Sequence, residues 1–348
     1  MEILTAGIKY PKEWVGSFTN MNKFAHLAGD FLYIETRFKL KLLEKLKGKK
    51  IVYMDMEEPN RFFVKDPEFR REEYEYYFYK ILTMCPFTAT WLNKRQGSNR
   101  RMHVFYPIDP ELGPPEMGKK YDIIYSGGIY SDWLFDDLKT ISKFNYKFVA
   151  YNGVLTYKFL PNLYIVKKIK QKFPHLKFLE KGARYITDSN IPHLEKWKIM
   201  AQTKITIVHN IVPCYASNLV NIYNTEGWQD NEAFSLLPRP NFFTSITTFF
   251  NQLRGKTYIV PQLKSRAFEA ALCHSLILCR RDQFNIIENF FEPEKEFVYY
   301  EPGKLEEKIR EILSNWSVYE LVIENAHKKF LAEYTTEKFF EKYLKNLE

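Results

Sequence analysis

Short runs rich in β-branched and aromatic residues alternate with amphipathic helical stretches along this chain, a pattern that calls for parallel α/β layers. Ile51–Met54 (IVYM) is the first strong strand signal, set between a basic stretch and Asp55-Met56-Glu57-Glu58-Pro59. Arg70 to Thr83 reads as an aromatic-rich helix running into a strand, and Met102–Tyr106 (MHVFY) as another strand. A Pro/Gly cluster, Leu112 to Gly118 (LGPPEMG), then punctuates the chain. Beyond it the pattern restarts with a strand at Tyr121–Ser126, Gly127-Gly128, a helix over Trp133–Lys143 and a strand at Tyr146–Ala150. Lys204–Val208 (KITIV) is a further strand, ending at His209. Asn218 to Leu253 is polar, aromatic and irregular, as in a long insertion or active-site loop. Ser265–Leu272 then predicts a helix, Ser275–Cys279 a buried strand and Lys304–Leu313 a helix. Ser317–Leu347 holds no Gly or Pro and predicts helix throughout.

Two α/β units joined near residues 112–118 fit this order, and 348 residues suffice for both. Hydrophobic residues at 45% and charged residues at 27% describe a packed globular chain rather than a disordered one. Aromatics reach 17%, an excess that suits a large core by default, or else ligand-stacking surfaces. No apolar stretch approaches the ~20 residues that span a bilayer. No basic-then-apolar leader opens the sequence, and Cys85, Cys214, Cys273 and Cys279 lack zinc-ligand spacing. These features predict reduced thiols and a cytoplasmic protein.

The net charge of +9 gathers in runs at residues 37–50, 94–101 and 166–184. Such runs attract polyanions: nucleotide phosphates, DNA, or an anionic membrane surface on which the protein would sit peripherally. As solvated helix faces they would serve solubility alone.

The segment richest in chemistry runs from Gln262 to Leu313. Lys264 and Arg266, with Ser265 between them, stand at a helix entry, where free backbone N–H groups already favour anions. Two cations there suit a diphosphate. Glu269, one turn on, is placed to accept the two ribose hydroxyl protons of a nucleoside diphosphate. A buried strand (SLILC), the Arg280-Arg281-Asp282 loop, a strand Glu296–Tyr300 and a helix from Leu305 follow.

This order resembles the donor-binding half of GT-B glycosyltransferases, and more closely the group that includes the spore-maturation-protein-like transferases. Ala332 to Lys338 (AEYTTEK) is similar to that group's C-terminal tail. Lys120 to Gly128 (KYDIIYSGG) resembles the first strand and glycine turn of the same domain, where small residues let the backbone approach a pyrophosphate. The resemblance implies an α/β fold of two Rossmann-like domains, their parallel sheets facing across a cleft and the C-terminal helix packing back on the N-terminal domain. It implies an acceptor domain at 1–117, a nucleotide-sugar domain at 118–325 and a closing helix at 326–348. It makes Glu269 the ribose ligand, Lys264, Ser265 and Arg266 donor contacts, and Gly127 and Gly128 the turn beneath the donor. Two positions depart from the pattern. Pro261 stands where many retaining members carry a second Glu, and Ile129-Tyr130-Ser131-Asp132-Trp133 replaces an expected arginine.

GT-B enzymes neutralise the departing diphosphate with basic side chains and a helix N-terminus, so neither metal nor cofactor is expected beyond the nucleotide-sugar donor, a UDP-sugar being one candidate while the sequence leaves the base and sugar open. Asp136-Asp137 reads as a solvated helix face. Asp55, Glu57 and Glu58, which follow a strand, are candidate general bases, as is His209. The expected activity is sugar transfer to a hydroxyl of a glycan or glycoconjugate. One alternative is a phage-type DNA glycosyltransferase acting on hydroxymethylated bases, to which the paired glycines and basic charge are also similar. A second is a non-catalytic nucleotide-binding shell.

Overall fold

A computed structural model describes residues 2–4, 20–28, 30–35, 46, 48–56, 58–59, 62, 75–128, 131–150, 172, 183–214, 216–239, 258–345 and 347, and structural statements below concern these. Glu57, most of the basic run 166–184 and residues 37–45 of the first run lie outside them.

Two parallel sheets carry the chain. The first has the order β1 (Glu2–Leu4), β2 (Leu32–Glu35), β3 (Ile51–Asp55), β4 (Lys80–Thr83) and β5 (Arg101–His103). The second comprises β6 (Tyr121–Ser126), β7 (Tyr146–Ala150), β8 (Asp188–Ser189), β9 (Thr203–Val208), β12 (Leu276–Arg280) and β13 (Val298–Tyr300). Its order is β13-β12-β9-β6-β7-β8, and every pair is parallel. Between β9 and β12 in the chain, β10 (Ile211–Cys214) and β11 (Tyr258–Pro261) form a separate antiparallel pair. The chain moves outward from β6 through β7 to β8, then returns to place β9 on the other side of β6. That reversal makes β6/β9 the topological switch point of the second sheet, where α/β folds open a crevice at the carboxyl ends of the strands.

Strands buried on both faces explain the near-continuous apolar runs: all five residues of Ile51–Asp55 are buried. Alternation along β6 divides the core. Ile123 and Tyr125 face a cluster with Leu134, Phe135, Leu138 and Ile141 of helix α2 (Asp132–Ile141). Ile124 faces the opposite cluster, which holds Trp197 and Met200 of α3 (His193–Ala201), Ala267 and Phe268 of α4 (Arg266–Leu272), and Val52, Met54, Leu82 and Met84 of the first sheet. One core therefore runs through both sheets.

Several expected boundaries shift. The run MHVFY is strand only through His103; Val104 still donates its N–H to the Thr83 carbonyl at 3.0 Å, and Phe105 is carried into the core. Within the aromatic stretch before β4, Glu75–Tyr77 makes one 3₁₀ turn rather than α-helix. Helix α1 (Pro86–Gln96) then follows β4. The stretch expected to be irregular forms helices at Ala216–Tyr223 and Glu232–Ser235, the second capped by Asn231, whose Oδ1 accepts from the N–H groups of Ala233 and Phe234.

The C-terminus is not helical throughout either. After α5 (Leu305–Ser314), helix α6 (Trp316–Glu333) ends at Tyr334, and Thr335 turns extended to bridge Ile108. Thr335 then caps a new helical turn, its hydroxyl accepting from the Lys338 N–H at 3.2 Å. This break returns the tail to the first sheet. Phe105 is ringed by Phe268, Tyr334, Phe339 and Tyr343 at centroid distances of 5.2–6.2 Å, and Lys50 donates to the Leu347 carbonyl at 3.0 Å. The C-terminal segment thus packs back on the N-terminal sheet, as the resemblance implies.

Candidate active site

Gly127 and His209 stand at the two strand ends that bound the switch point, Gly127 just past β6 and His209 just past β9. Gly127 takes φ +135°, a region that strains any L side chain. A Cβ there would also lie 2.6 Å from a guanidinium nitrogen of Arg266. That guanidinium lies 5.1 Å from the centroid of the Tyr125 ring, and the Tyr125 hydroxyl donates to the Gly128 carbonyl at 2.9 Å. Arg266 opens α4, so a helix start delivers its cation onto the glycine turn. The arginine that the sequence lacks after Gly128 has a spatial counterpart here, supplied from far along the chain.

Beside this turn lies a buried polar cluster. His209 Nε2 stands 2.8 Å from the Tyr300 hydroxyl and 3.3 Å from Asp137 Oδ2. Tyr300 in turn contacts Asp137 Oδ2 at 2.7 Å, and Arg280, at the end of β12, donates to the same oxygen at 3.3 Å. Burial raises the Tyr300 hydroxyl well above its ordinary range, reinforced by Asp137, so it stays protonated. Its single proton goes to the carboxylate, which only accepts. His209 Nε2 must then carry the hydrogen shared with the Tyr300 oxygen. Burial lowers the His209 pKa to about 4, against the opposing pull of Asp137. The ring is therefore neutral near pH 7, with Nδ1 as a lone-pair acceptor that has no hydrogen-bond partner among the described residues. Asp137 corrects the expectation of a solvated Asp136-Asp137 pair: Asp136 is exposed, but Asp137 is buried. A helix turns about 100° between neighbours, so one acid faces water and the other the sheet.

Glu269 is held elsewhere. It is 2% exposed, paired with Lys196, and accepts from Ser265 Oγ at 2.7 Å and Trp197 Nε1 at 3.2 Å. Burial alone would raise its carboxyl, but Lys196, His193 and Ser265 override this and hold it at about 2. Both oxygens are already engaged by the chain's own donors. A ribose would have to displace Ser265 or the α3 donors to reach them.

Residues 262–264 join the two sheets at this end. The Leu263 N–H donates to the Met84 carbonyl at 3.2 Å, and Gln262 Nε2 donates to the Glu58 carbonyl at 3.1 Å. The Lys264 N–H is fixed by Asn210 Oδ1 at 3.0 Å, leaving its side chain half-buried. Across this junction Asp55 ends β3, fully buried. Glu58 is bound internally by Thr83, with Arg101 4.0 Å from its other oxygen. Glu57 lies outside the described residues.

The structure thus brings Gly127, Gly128, Arg266 and His209 together and adds Asp137, Arg280 and Tyr300. Arg280 and Tyr300 share a sequence signal, since each closes a strand of the second sheet. Asp137 has none. Among the described residues no group of three or more His, Cys, Asp or Glu forms a metal-binding cluster, and no helix is long and apolar enough to cross a membrane. The four cysteines are buried and unbridged.

A family model described as glycosyl transferase-like matches residues 163–345. Sucrose-phosphate synthase from Thermosynechococcus elongatus superposes with TM-score 0.51 at 10% identity, over 95% of this chain and 78% of that one. Anabaena HepE in complex with UDP and glucose gives TM-score 0.51 at 10% identity, over 92% and 79%. A Staphylococcus aureus TarM mutant in complex with fondaparinux, α-GlcNAc-glycerol and UDP gives 0.50 at 11%, over 93% of this chain. This chain spans only 57% of TarM's length. No curated protein sequence matches it significantly. At these identities the structural likenesses establish the fold.

Proposed function

This chain belongs to the glycosyl transferase-like family and has the two-sheet GT-B fold, and on that premise we propose that it moves a sugar from a UDP-sugar to a hydroxyl of a glycan or glycoconjugate. The observation that carries this reading is the cationic glycine turn at the β6/β9 switch point, where Arg266 stands on Gly127. A pyrophosphate laid against Gly127 and Gly128 would meet backbone rather than side chain, with Arg266 beside it and Arg280 and Lys264 near the same strand ends.

In the transfer, the acceptor oxygen bonds to the anomeric carbon as the bond from that carbon to the diphosphate oxygen breaks. The electron pair leaves with the diphosphate, whose growing charge Arg266 and Lys264 neutralise. His209 has its Nε2 hydrogen committed to Tyr300 and is fully buried, so it is not assigned the acceptor's proton. Its free Nδ1 suits instead a hydrogen bond from a sugar hydroxyl, which makes it a positioning group for the donor sugar. The proton then falls to a carboxylate of the opposite sheet. Asp55, which ends β3 at the carboxyl edge of that sheet, is assigned that role. Glu269, with both oxygens taken, would act by fixing α4 against α3 so that Arg266 is aimed correctly.

Incubation with UDP-, GDP-, ADP-, CMP- and dTDP-sugars, following slow donor hydrolysis, tests the reading. Hydrolysis of one donor that is lost in Arg266→Ala supports it. Absence of binding to any nucleotide would sink it.

A further inference from the structure

After β9 the chain makes an excursion from the second sheet and returns just before α4. Its neck is the β10–β11 pair, closed by the Gln262 N–H donating to the Asn210 carbonyl at 2.8 Å. Buried apolar residues of this excursion gather in a cluster of their own, and that cluster takes in Trp91 and Leu92 of α1, the helix that follows β4 of the first sheet. Phe87, Trp91 and Arg95 recur every fourth residue and so share one face of α1. Each meets an element rooted in the second sheet. The Phe87 ring stands 5.6 Å from Phe284, in the loop after β12. The Trp91 ring stands 5.8 Å from Phe234 of the helix Glu232–Ser235, and its Nε1 donates to the Gly227 carbonyl at 2.8 Å. Gly227 takes φ +66° to enter the 3₁₀ turn Trp228–Asp230. Arg95 pairs with Glu226 at 2.8 Å on the exposed rim, where such a pair adds little.

We propose that this stripe clamps the first sheet to the second in the catalytic arrangement, with Trp91 as its positioning residue. Helix α1 begins two residues past β4, and the end of β4 pairs with the end of β3, Thr83 opposite Asp55. Displacing α1 therefore displaces Asp55. Gly127, Arg266 and His209 stand on elements of the second sheet and do not depend on the stripe. Domains that meet through small polar interfaces move relative to one another by default, and a buried aromatic contact opposes that motion. Alignment matters because a misplacement of about 1 Å can cost about 10²-fold in rate. The catalytic part of the proposal, though not the clamp itself, rests on the glycosyltransferase reading and on Asp55 as base.

Spin labels on Asn99→Cys and Lys139→Cys, one on each side of the clamp, report the spacing by electron paramagnetic resonance; the four native cysteines are buried. One narrow distance distribution is expected, unmoved by UDP. Trp91→Leu/Phe234→Ala should broaden or lengthen it. A wild-type distance that shifts with UDP, or an unaltered one in the double variant, would overturn the clamp. In donor hydrolysis the same substitutions should lower kcat at least about tenfold and leave the Kd for UDP unchanged. An unchanged kcat, or a loss of UDP affinity in step with kcat, would overturn the positioning role. Trp91→Phe keeps a ring and removes only the N–H; it should show the same split in smaller measure. If the double variant does not fold, an unaltered distance and kcat in Trp91→Phe would overturn the proposal. Wild-type protein that binds no UDP would instead sink the glycosyltransferase reading and leave the distances to decide the clamp.

Discussion

His209 and Tyr300 share one hydrogen at 2.8 Å, and because the Tyr300 proton is committed to Asp137, that hydrogen belongs to His209 Nε2. The consequence is a neutral imidazole of fixed tautomer with Nδ1 a buried acceptor that has no partner among the described residues. Nitrogen-15 NMR of labelled imidazoles should show Nε2 protonated and Nδ1 bare for His209 from pH 5 to 8, with titration near 4. A midpoint near 6.5 would remove the basis for this tautomer. Tyr300→Phe should release the ring, raise KM for the donor and leave the fold intact.

Burial lowers three histidines, His103, His193 and His209, to about 4 each. The sign follows from comparing states. Between about pH 4 and 6.5 the unfolded chain binds these protons and the folded chain does not, so unfolding takes up protons. The stability they confer is complete above 6.5 and is lost as pH falls toward 4. For His209, which is fully buried, the slope is about 1.4 kcal/mol per pH unit. Glu269, depressed to about 2, adds a further loss as pH falls below its ordinary value of 4.5. Denaturant unfolding across pH 4–7.5 should show stability falling continuously below 6.5. Histidine-to-glutamine substitution at 209 should flatten part of that slope.

Catalysis by an N-terminal carboxylate makes a separate claim about Asp55. Asp55→Asn keeps the size of the side chain at a fully buried strand end and removes its capacity to take a proton. General-base loss is worth about 10²–10⁴ in rate. The expected outcome is a kcat reduced by at least about 10²-fold with UDP affinity unchanged. An active Asp55→Asn enzyme would move the base elsewhere, Glu57 being next in line.

How much of this could be read from the residues varies with the distance over which each feature is decided. β6 and β7 keep the expected bounds because β-branched and aromatic runs between turn residues are local signals. The break at Thr335 was hidden: a stretch with no Gly or Pro has every local reason to continue as helix, and it stops because Thr335 finds Ile108, 227 residues earlier. Gly127 and Arg266 each stand out in the sequence as candidates for a donor site, but nothing local marks them as contacts of each other. Lys196 gave no signal at all. Its burial follows from α3 crossing α4, a tertiary event that sequence periodicity does not encode.

A side chain at Gly127 should be among the most damaging small changes in the molecule. The left-handed φ alone costs an L residue about 1–2 kcal/mol. The new Cβ also collides with Arg266 and turns the guanidinium off the glycine turn. Gly127→Ala should therefore lower the melting temperature modestly and weaken UDP binding strongly. Arg266→Ala, which leaves space, should weaken UDP without the stability loss. A charge-assisted contact is worth about 1.5–3 kcal/mol, or roughly 10- to 100-fold in Kd.

Glu269 separates a structural role from a ligand role. Glu269→Ala leaves Lys196 buried and unpaired, and breaking a buried pair from one side costs about 3–5 kcal/mol. Loss of donor hydrolysis in that variant would be uninformative, because the fold goes with it. Replacing both partners, Lys196→Met with Glu269→Leu, removes the stranded charge and should recover most of the melting temperature. If Glu269 only aims α4, the double variant should bind UDP within a few-fold of wild type. If it holds the ribose, the double variant should fold, keep its affinity for pyrophosphate and lose selectivity for UDP over pyrophosphate. Titrating both ligands against the same refolded protein decides between the two, and the hydrogen bonds from Ser265 and Trp197 favour the first.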